Sequence, residues 1–283
     1  MNKIAIITDT DSSLPADLAG QYGIRKVPIT IHFEDSAYTC GVDIDDRRLF
    51  EIIDRLKKLP TTSAPSPNAF ASAYEAALTE GAQAIVCICV SSKVSATYNS
   101  AVTACELFPG QDISVIDSLT LSMAQGFMAL IAAEAASQGA SKEEVIGRAV
   151  AAGQRSRLYA VLSTVKYLAM SGRVGKLAAG MADTLNIKPI LTVQDGKLDL
   201  LERIRTRKKS LERVLELARS SVNGKTIARL AFMHVNDLEG VQELQKQLCT
   251  IIPCPPTVIT TEFSPGLSVH AGSGVVGVTI LTN

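Results

Sequence analysis

The chain has 283 residues, of which 47% are hydrophobic and 20% charged, and its 28 basic side chains balance 28 acidic ones. This length can bury one large core or two smaller ones, and a balanced charge argues against a nucleic-acid-binding protein. The longest apolar stretch, Met123–Ala136, is too short to span a bilayer and contains Gln125 and Glu134. The N-terminus turns polar too early for a secretory signal. We therefore expect a cytoplasmic protein that does not span a membrane.

The first half of the chain alternates apolar segments with helical patterns. Strands are predicted at Ile4–Thr8, Lys26–His32, Ala84–Val90 and Ile113–Ile116. Helices are predicted from Ser13–Pro15 onward and at Arg47–Lys57, Pro67–Thr79, Ser95–Leu107, Leu119–Ser137 and Ser141–Gln154. Such alternation favours an α/β lobe with a mostly parallel sheet that helices cover on both faces.

The second half has a different pattern, typical of an α+β lobe with a mixed sheet. Strands are predicted at Leu158–Ser163, Lys188–Val193, Lys197–Arg203, Ala228–His234, Thr257–Glu262 and Gly274–Leu281, and helices at Lys209–Ser221 and Leu238–Leu248. The turn pair Asp195-Gly196 predicts a hairpin. We place the lobe boundary near residue 160, which gives lobes of residues 1–160 and 161–283.

The six cysteines and three histidines do not have the spacing of a metal site. Cys87 and Cys89 lie two apart in an apolar strand, and none of the cysteine pairs forms a CxxC motif. A structural zinc site would need four ligands in paired spacings. We expect no metal and six reduced, buried thiols.

Three segments carry polar or glycine residues that a simple scaffold would not need. Thr61–Pro67 contains an N-cap and a first-turn proline, Ser66 and Pro67, but also three hydroxyls that a cap does not explain. Ser91–Asn99 opens a helix and could hold an anion, or Ser92 or Ser95 could be an ordinary cap. Ser264–Gly274 is rich in glycine and contains His270, which is either structural or functional.

Asp9 and Asp11 carry the one catalytic alternative, a phosphotransferase or hydrolase whose first strand ends in paired aspartates. The lysine and further acids that this chemistry needs cannot be placed, and no GxSxG, Walker or HExxH motif occurs. A third hypothesis is a structural partner protein that binds no ligand.

The polar segments, taken in order, resemble the motifs of the DegV family of fatty-acid-binding proteins. The matching stretches are Ile7–Ser12, Thr62–Ser66, Ser91–Ala101, Val115–Ser118, Tyr167–Arg173, Ile187–Leu191 with Gly196 and Arg203–Lys209, and His270–Gly274. These motifs span nearly the whole chain, so the resemblance implies that the whole chain is one unit of the DegV type. The resemblance implies a non-enzymatic lipid carrier with a tunnel between two lobes.

The resemblance also implies roles for individual residues. Thr62 and Ser95 would hold the carboxylate of a long-chain fatty acid such as palmitate, stearate or oleate. Their hydroxyls suit this role because a carboxylate only accepts hydrogen bonds and needs donors. Ser63, Ser92, Ala96 and His270 would support the same site. Arg173 would dock the catalytic subunit of a fatty acid kinase, which phosphorylates the carboxyl group.

Four positions differ from the family pattern: Ala64, Ala96, Ser171 and Ser273. None of them removes a hydroxyl at Thr62 or Ser95. The resemblance implies no cofactor and no nucleic acid, and it is compatible with transient membrane contact.

Overall fold

A computed structural model describes residues 3–34, 36–171 and 187–283. The first part contains β1 (Ile4–Asp9), α1 (Ala16–Gln21), β2 (Arg25–Val27), β3 (Thr30–Phe33), β4 (Ser36–Thr39), α2 (Asp46–Leu56), β5 (Thr61–Ser63), α3 (Pro67–Thr79), β6 (Ala84–Cys89), α4 (Thr97–Cys105), β7 (Ile113–Asp117), α5 (Ser122–Ser137) and α6 (Lys142–Arg155). The second part contains β8 (Ser156–Val161), α7 (Lys166–Ser171), β9 (Ile190–Gln194), β10 (Lys197–Glu202), α8 (Arg207–Val222), β11 (Ile227–His234), α9 (Leu238–Ile251), β12 (Ile259–Glu262), α10 (Pro265–Ala271) and β13 (Val276–Thr282).

The first lobe is built on a parallel sheet in the order β2-β1-β6-β7. Every residue of β6 is buried, as expected for a central parallel strand covered on both faces. This confirms the predicted α/β lobe. The carboxyl end of β6 leads into Ser91–Asn99, which places this polar segment at one edge of the sheet.

The predicted strand Lys26–His32 is wrong, because Pro28 divides it into two strands of different sheets. β2 pairs with β1, whereas β3 joins an antiparallel sheet in the order β4-β3-β5. Proline has no N–H to donate and ends the ladder. The sequence did not predict this small sheet, because β4 and β5 are short and polar. It matters for function because β5 carries Thr62 and Ser63.

The second lobe contains the predicted mixed sheet, in the order β10-β9-β8-β13-β11-β12. The predicted hairpin joins β9 to β10, and both of its turn residues, Asp195 and Gly196, have positive φ. The predicted division after residue 160 falls inside β8, whose residues pair with β13 from Ser156 onward.

Helix α5 lies between the two lobes and is buried on nearly all sides. It contacts β1 and β6 of the parallel sheet and β8 and β13 of the mixed sheet. One hydrophobic cluster therefore includes residues of both lobes, such as Ile6, Phe127 and Leu158. A helix that is apolar all round belongs in such a position. No described helix is long and apolar enough to cross a membrane.

Three further expectations need correction. Helix α10 lies in the glycine-rich segment Ser264–Gly274, where we predicted no helix, because Ser264 caps it and Pro265 opens it. Helix α4 begins at Thr97, two residues later than predicted. Cys249 and Cys254 form a disulfide, with Cα atoms 5.4 Å apart, so the expectation of six reduced, buried thiols is wrong. The other four cysteines are free, and three of those are buried.

Candidate functional site

A cavity of about 500 Å³ lies between the two lobes. Its walls are polar at one end, where β5, the loop before α4 and helix α10 meet. The remaining wall is apolar and includes Leu158, Ala160, Leu162, Leu191, Leu198 and Phe263. This volume is within the range of small-molecule sites. The distribution of polarity suits an elongated molecule with a single polar end.

Strand β8 and its continuation form the longest apolar side of the cavity. Leu158, Ala160 and Leu162 alternate along the chain and therefore share one face. At roughly 3.3 Å per residue, they extend over about 13 Å. These residues form one continuous apolar surface of the cavity.

The polar end brings together Thr62, Ser95 and His270, three residues that the sequence placed far apart. Thr62 Oγ1 and His270 Nε2 lie 3.0 Å apart, within hydrogen-bonding distance across 208 positions of the chain. Ser95 Oγ lies 2.8 Å from Thr97 Oγ1 and accepts a longer hydrogen bond from the Thr97 amide, 3.3 Å. All three line the cavity and are half-buried. Their hydroxyls and ring can donate to a carboxylate.

Ser92 and Ser63 also line the cavity, but their hydroxyls already have protein partners. Ser92 Oγ donates to Asp117 Oδ2 at 2.5 Å, and the Ser92 amide donates to Asp117 Oδ1 at 3.1 Å. Ser63 Oγ lies 2.8 Å from His32 Nε2. In these positions Ser92 holds the loop that carries Ser95, and Ser63 holds strand β5, which carries Thr62.

The start of α4 faces the same end of the cavity, since Ala96 and Asn99 line it. Ala96 is the N-cap, with φ −79° and ψ 0°, so it occupies an ordinary conformation and adds no side-chain cap. The first amides of a helix lack intrahelical acceptors and form its positive end. An anion at Ser95 would therefore lie beside favourable dipoles.

Asp9 and Asp11, which carried the catalytic alternative, have different surroundings. Asp9 is fully buried and accepts hydrogen bonds from the amides of Val90 and Asp11 and from Gln125 Nε2. Burial, with a smaller contribution from Asp11, raises the pKa of Asp9 to about 7. Asp9 thus joins three segments and is inaccessible to a substrate. Asp11 lines the cavity and accepts a hydrogen bond from Ser264 Oγ at 2.7 Å.

Arg173, Asp117 and Asp46 are the remaining residues to be compared with the sequence analysis. Arg173 lies outside the described residues, so its docking role stays a prediction. Asp117 and Asp46 were missed as supporting residues, although Asp117 directly follows a predicted strand just as Asp9 does. No group of three or more His, Cys, Asp or Glu residues in the described ranges could hold a metal ion.

Comparison with known proteins decides the family. Residues 3–283 match the model of the family described as "Uncharacterised protein, DegV family". The chain belongs to the DegV family. It is 32% identical to a DegV domain-containing protein of Caldanaerobacter subterraneus over 98% of both chains. It is 35% identical to one of Mycobacterium tuberculosis over 98% of this chain and 96% of the relative.

Solved DegV structures share the whole fold. A fatty-acid-binding DegV family protein of Thermus thermophilus aligns with a TM-score of 0.93 at 30% identity, over 99% of this chain and 100% of the other. DegV of Bacillus subtilis, described as a fatty acid binding protein, aligns with a TM-score of 0.89 at 28% identity over 100% of both chains. The predicted family and fold class are confirmed, and these DegV relatives are described as fatty acid binding proteins.

Proposed function

We propose that this DegV protein binds one long-chain fatty acid, with its carboxylate at Thr62 and Ser95 and its tail along the apolar wall. The observation that supports this most strongly is the cavity itself, which is apolar except at one end. Each buried methylene contributes about 0.8 kcal/mol, so a long chain gains most of its affinity from the wall. The polar end then determines the orientation of the ligand.

A carboxylate fits this polar end because it accepts hydrogen bonds and donates none. Ser95 and Thr62 provide hydroxyl donors, His270 provides a ring N–H in one tautomer, and the start of α4 adds its dipole. Hydrogen bonds to a charged acceptor are stronger than neutral ones. The bond between Thr62 and His270 would rearrange to include the ligand.

The proposal includes delivery of the bound acid to a fatty acid kinase. Thr62, Ser95 and His270 are half-buried and Ser63 and Ala96 are exposed, so a carboxylate at this end would be near the protein surface. The kinase would transfer the γ-phosphoryl group of ATP to the carboxylate, which gives an acyl phosphate and ADP. This protein would contribute binding and orientation. Arg173 is the residue that the family resemblance proposes for docking.

The first experiment tests lipid binding directly. Protein purified from cells is measured by native mass spectrometry and then extracted under denaturing conditions. We expect one fatty acid per chain in the wild type and much less in Ser95→Ala and Thr62→Val. Ser66→Ala is the matched control, since it removes a hydroxyl that caps α3 outside the cavity. A wild-type protein free of lipid after growth with fatty acids would contradict the proposal.

A second experiment tests delivery. A fatty acid kinase catalytic subunit is supplied with ATP and oleate, with and without this protein, and the acyl phosphate is trapped with hydroxylamine. Hydroxamate should form only when both proteins are present, and less with Arg173→Ala. Equal hydroxamate formation without this protein would contradict the carrier role.

A further inference from the structure

Helix α10 carries His270 and is only seven residues long. A helix of this length has little stability of its own, so contacts with the rest of the protein must hold it. Two serines one turn apart, Ser264 and Ser268, provide such contacts. Ser264 Oγ donates to Asp11 Oδ1 at 2.7 Å, and Ser268 Oγ donates to Asp46 Oδ2 at 2.9 Å. All four residues are buried.

The other face of α10 forms part of the cavity. Leu267, His270 and Ala271 line it, at the spacing of three and four residues that places side chains on one helical face. The two serines and these three residues therefore define the rotation of α10 about its axis. A rotation or shift of α10 would move His270 Nε2 away from Thr62 Oγ1.

Asp46, the first residue of α2, is fully buried. Its Oδ1 atom has no hydrogen-bond partner among the described residues, and its Oδ2 atom accepts the bond from Ser268. The charged groups that act on it, Glu262 at the end of β12 and the neighbouring Asp45, are both acidic. Burying an ionised carboxylate with one unpaired oxygen costs several kcal/mol. A neutral acid, with its proton on Oδ1, avoids most of that cost.

We propose that Asp46, acting through Ser268, is the positioning residue that holds α10 so that His270 reaches the ligand head group. This inference rests on the proposed function and adds a residue that determines head-group preference. Asp46 does not line the cavity, whereas Ser268 connects it to the helix that does. Loss of this hydrogen bond should therefore reduce binding of a carboxylate more than binding of a neutral analogue with the same tail.

The same arrangement predicts a pH dependence. Burial raises the pKa of Asp46 to about 8, so it keeps its proton at neutral pH and loses it in mild alkali. The ionised, unpaired oxygen would draw water or a cation toward it and disturb α10. The titratable groups nearby are Glu262 on β12, Asp43 and Asp45 in the loop before α2, and Cys40 after β4, which also interacts with Asp11. Burial raises the pKa of Cys40 far above this range, so the thiol stays neutral.

The test compares oleic acid with oleyl alcohol on delipidated protein, by displacement of a fluorescent fatty-acid analogue from about pH 6.5 to pH 9.5. In the wild type we expect a preference for the acid that falls above about pH 8. Below about pH 8, Ser268→Ala and Asp46→Leu should reduce that preference about tenfold, the equivalent of one hydrogen bond to a charged group. Asp46→Asn retains a neutral acceptor for Ser268, so it should keep the preference and lose the pH dependence.

Two controls separate positioning from loss of folding. Thr206→Ala removes the cap of α8, away from the cavity, and should reduce stability without changing the preference for the acid. In ligand-free protein, the ring resonances of His270 should shift in Ser268→Ala and Asp46→Leu but stay in place in Asp46→Asn and Thr206→Ala. Unchanged preference and unchanged His270 resonances in Ser268→Ala would overturn the inference. Failure of the wild type to bind oleic acid would overturn the proposed function, and the His270 resonances would still decide whether Asp46 positions the ring.

Discussion

The two ends of the cavity are built in different ways. At the polar end, specific hydrogen bonds hold the segments that line the cavity, as Ser92 is held by Asp117 and α10 by Asp11 and Asp46. At the apolar end, ordinary strand residues such as Leu158 and Leu191 form the wall. The first end depends on individual atoms and the second on total shape. Substitutions should therefore have sharp effects at one end and graded effects at the other.

A change of pH should have the largest effect, and this effect should arise at the polar end. Asp46 and Asp9 lie near that end, whereas the apolar wall contains no acid. The pKa of Asp46 is raised to about 8 in the folded protein, so unfolding at neutral pH releases its proton. The free energy of unfolding should therefore fall as pH rises from about 4 to about 8, by at most about 1.4 kcal/mol per pH unit from this group. Above about pH 8 this group should cause no further fall.

Asp46→Asn removes this titration while keeping an acceptor for Ser268. Chemical denaturation from about pH 5 to about pH 8 should show a shallower decline in the variant, with a difference of up to about 4 kcal/mol over the range. Asp9 is unchanged in both proteins and cancels in the comparison. Parallel declines in the two proteins would show that Asp46 is ionised when folded.

Removing both hydroxyls that we propose to hold the carboxylate should have the next largest effect. In Thr62→Val with Ser95→Ala, the ligand loses two hydrogen bonds to a charged acceptor, so affinity for oleate should fall about a hundredfold, or about 2.7 kcal/mol. Isothermal titration calorimetry would measure this loss. Binding of oleyl alcohol should weaken less, and an equal loss for both ligands would place the head group elsewhere.

Enlarging a wall residue should act through ligand length. Ala160 lies in the middle of the apolar side formed by β8, so Ala160→Leu fills space that the tail would occupy. Affinity for stearate should fall about tenfold, or about 1.4 kcal/mol, and affinity for laurate should fall less, because fewer of its methylenes lie beyond Ala160. Val161→Leu enlarges the next residue, which packs into the other core cluster, and should leave this length preference unchanged. Equal losses for both acids would mean that the tail follows another wall.

The contrast between the two ends also explains what the sequence could predict. The segments that contain Thr62, Ser95 and His270 stand out locally because they are rich in hydroxyls or glycines, and the resemblance to the DegV family then pointed to these three residues, which line the cavity. The wall residues were not found, because Leu158 or Leu191 in a strand looks the same whether it faces a core or a cavity. Asp46 was missed for a related reason. It begins a helix, where an acid is ordinary, and its role depends on a contact with Ser268 across 222 positions.

Ser92 provides the smallest and most discriminating test, because it lies at the polar end without a free hydroxyl. In Ser92→Ala the loop before α4 loses one bond to Asp117 but keeps the amide bonds of residue 92 and Leu119 to the same carboxylate. Oleate affinity should therefore fall only about threefold, or about 0.7 kcal/mol, mainly through faster dissociation in stopped-flow measurements. Ser92→Thr retains the hydroxyl and should restore the wild-type rate. A loss as large as that of Ser95→Ala, without rescue by threonine, would mean that Ser92 contacts the ligand itself and that the polar end has three direct hydroxyl donors.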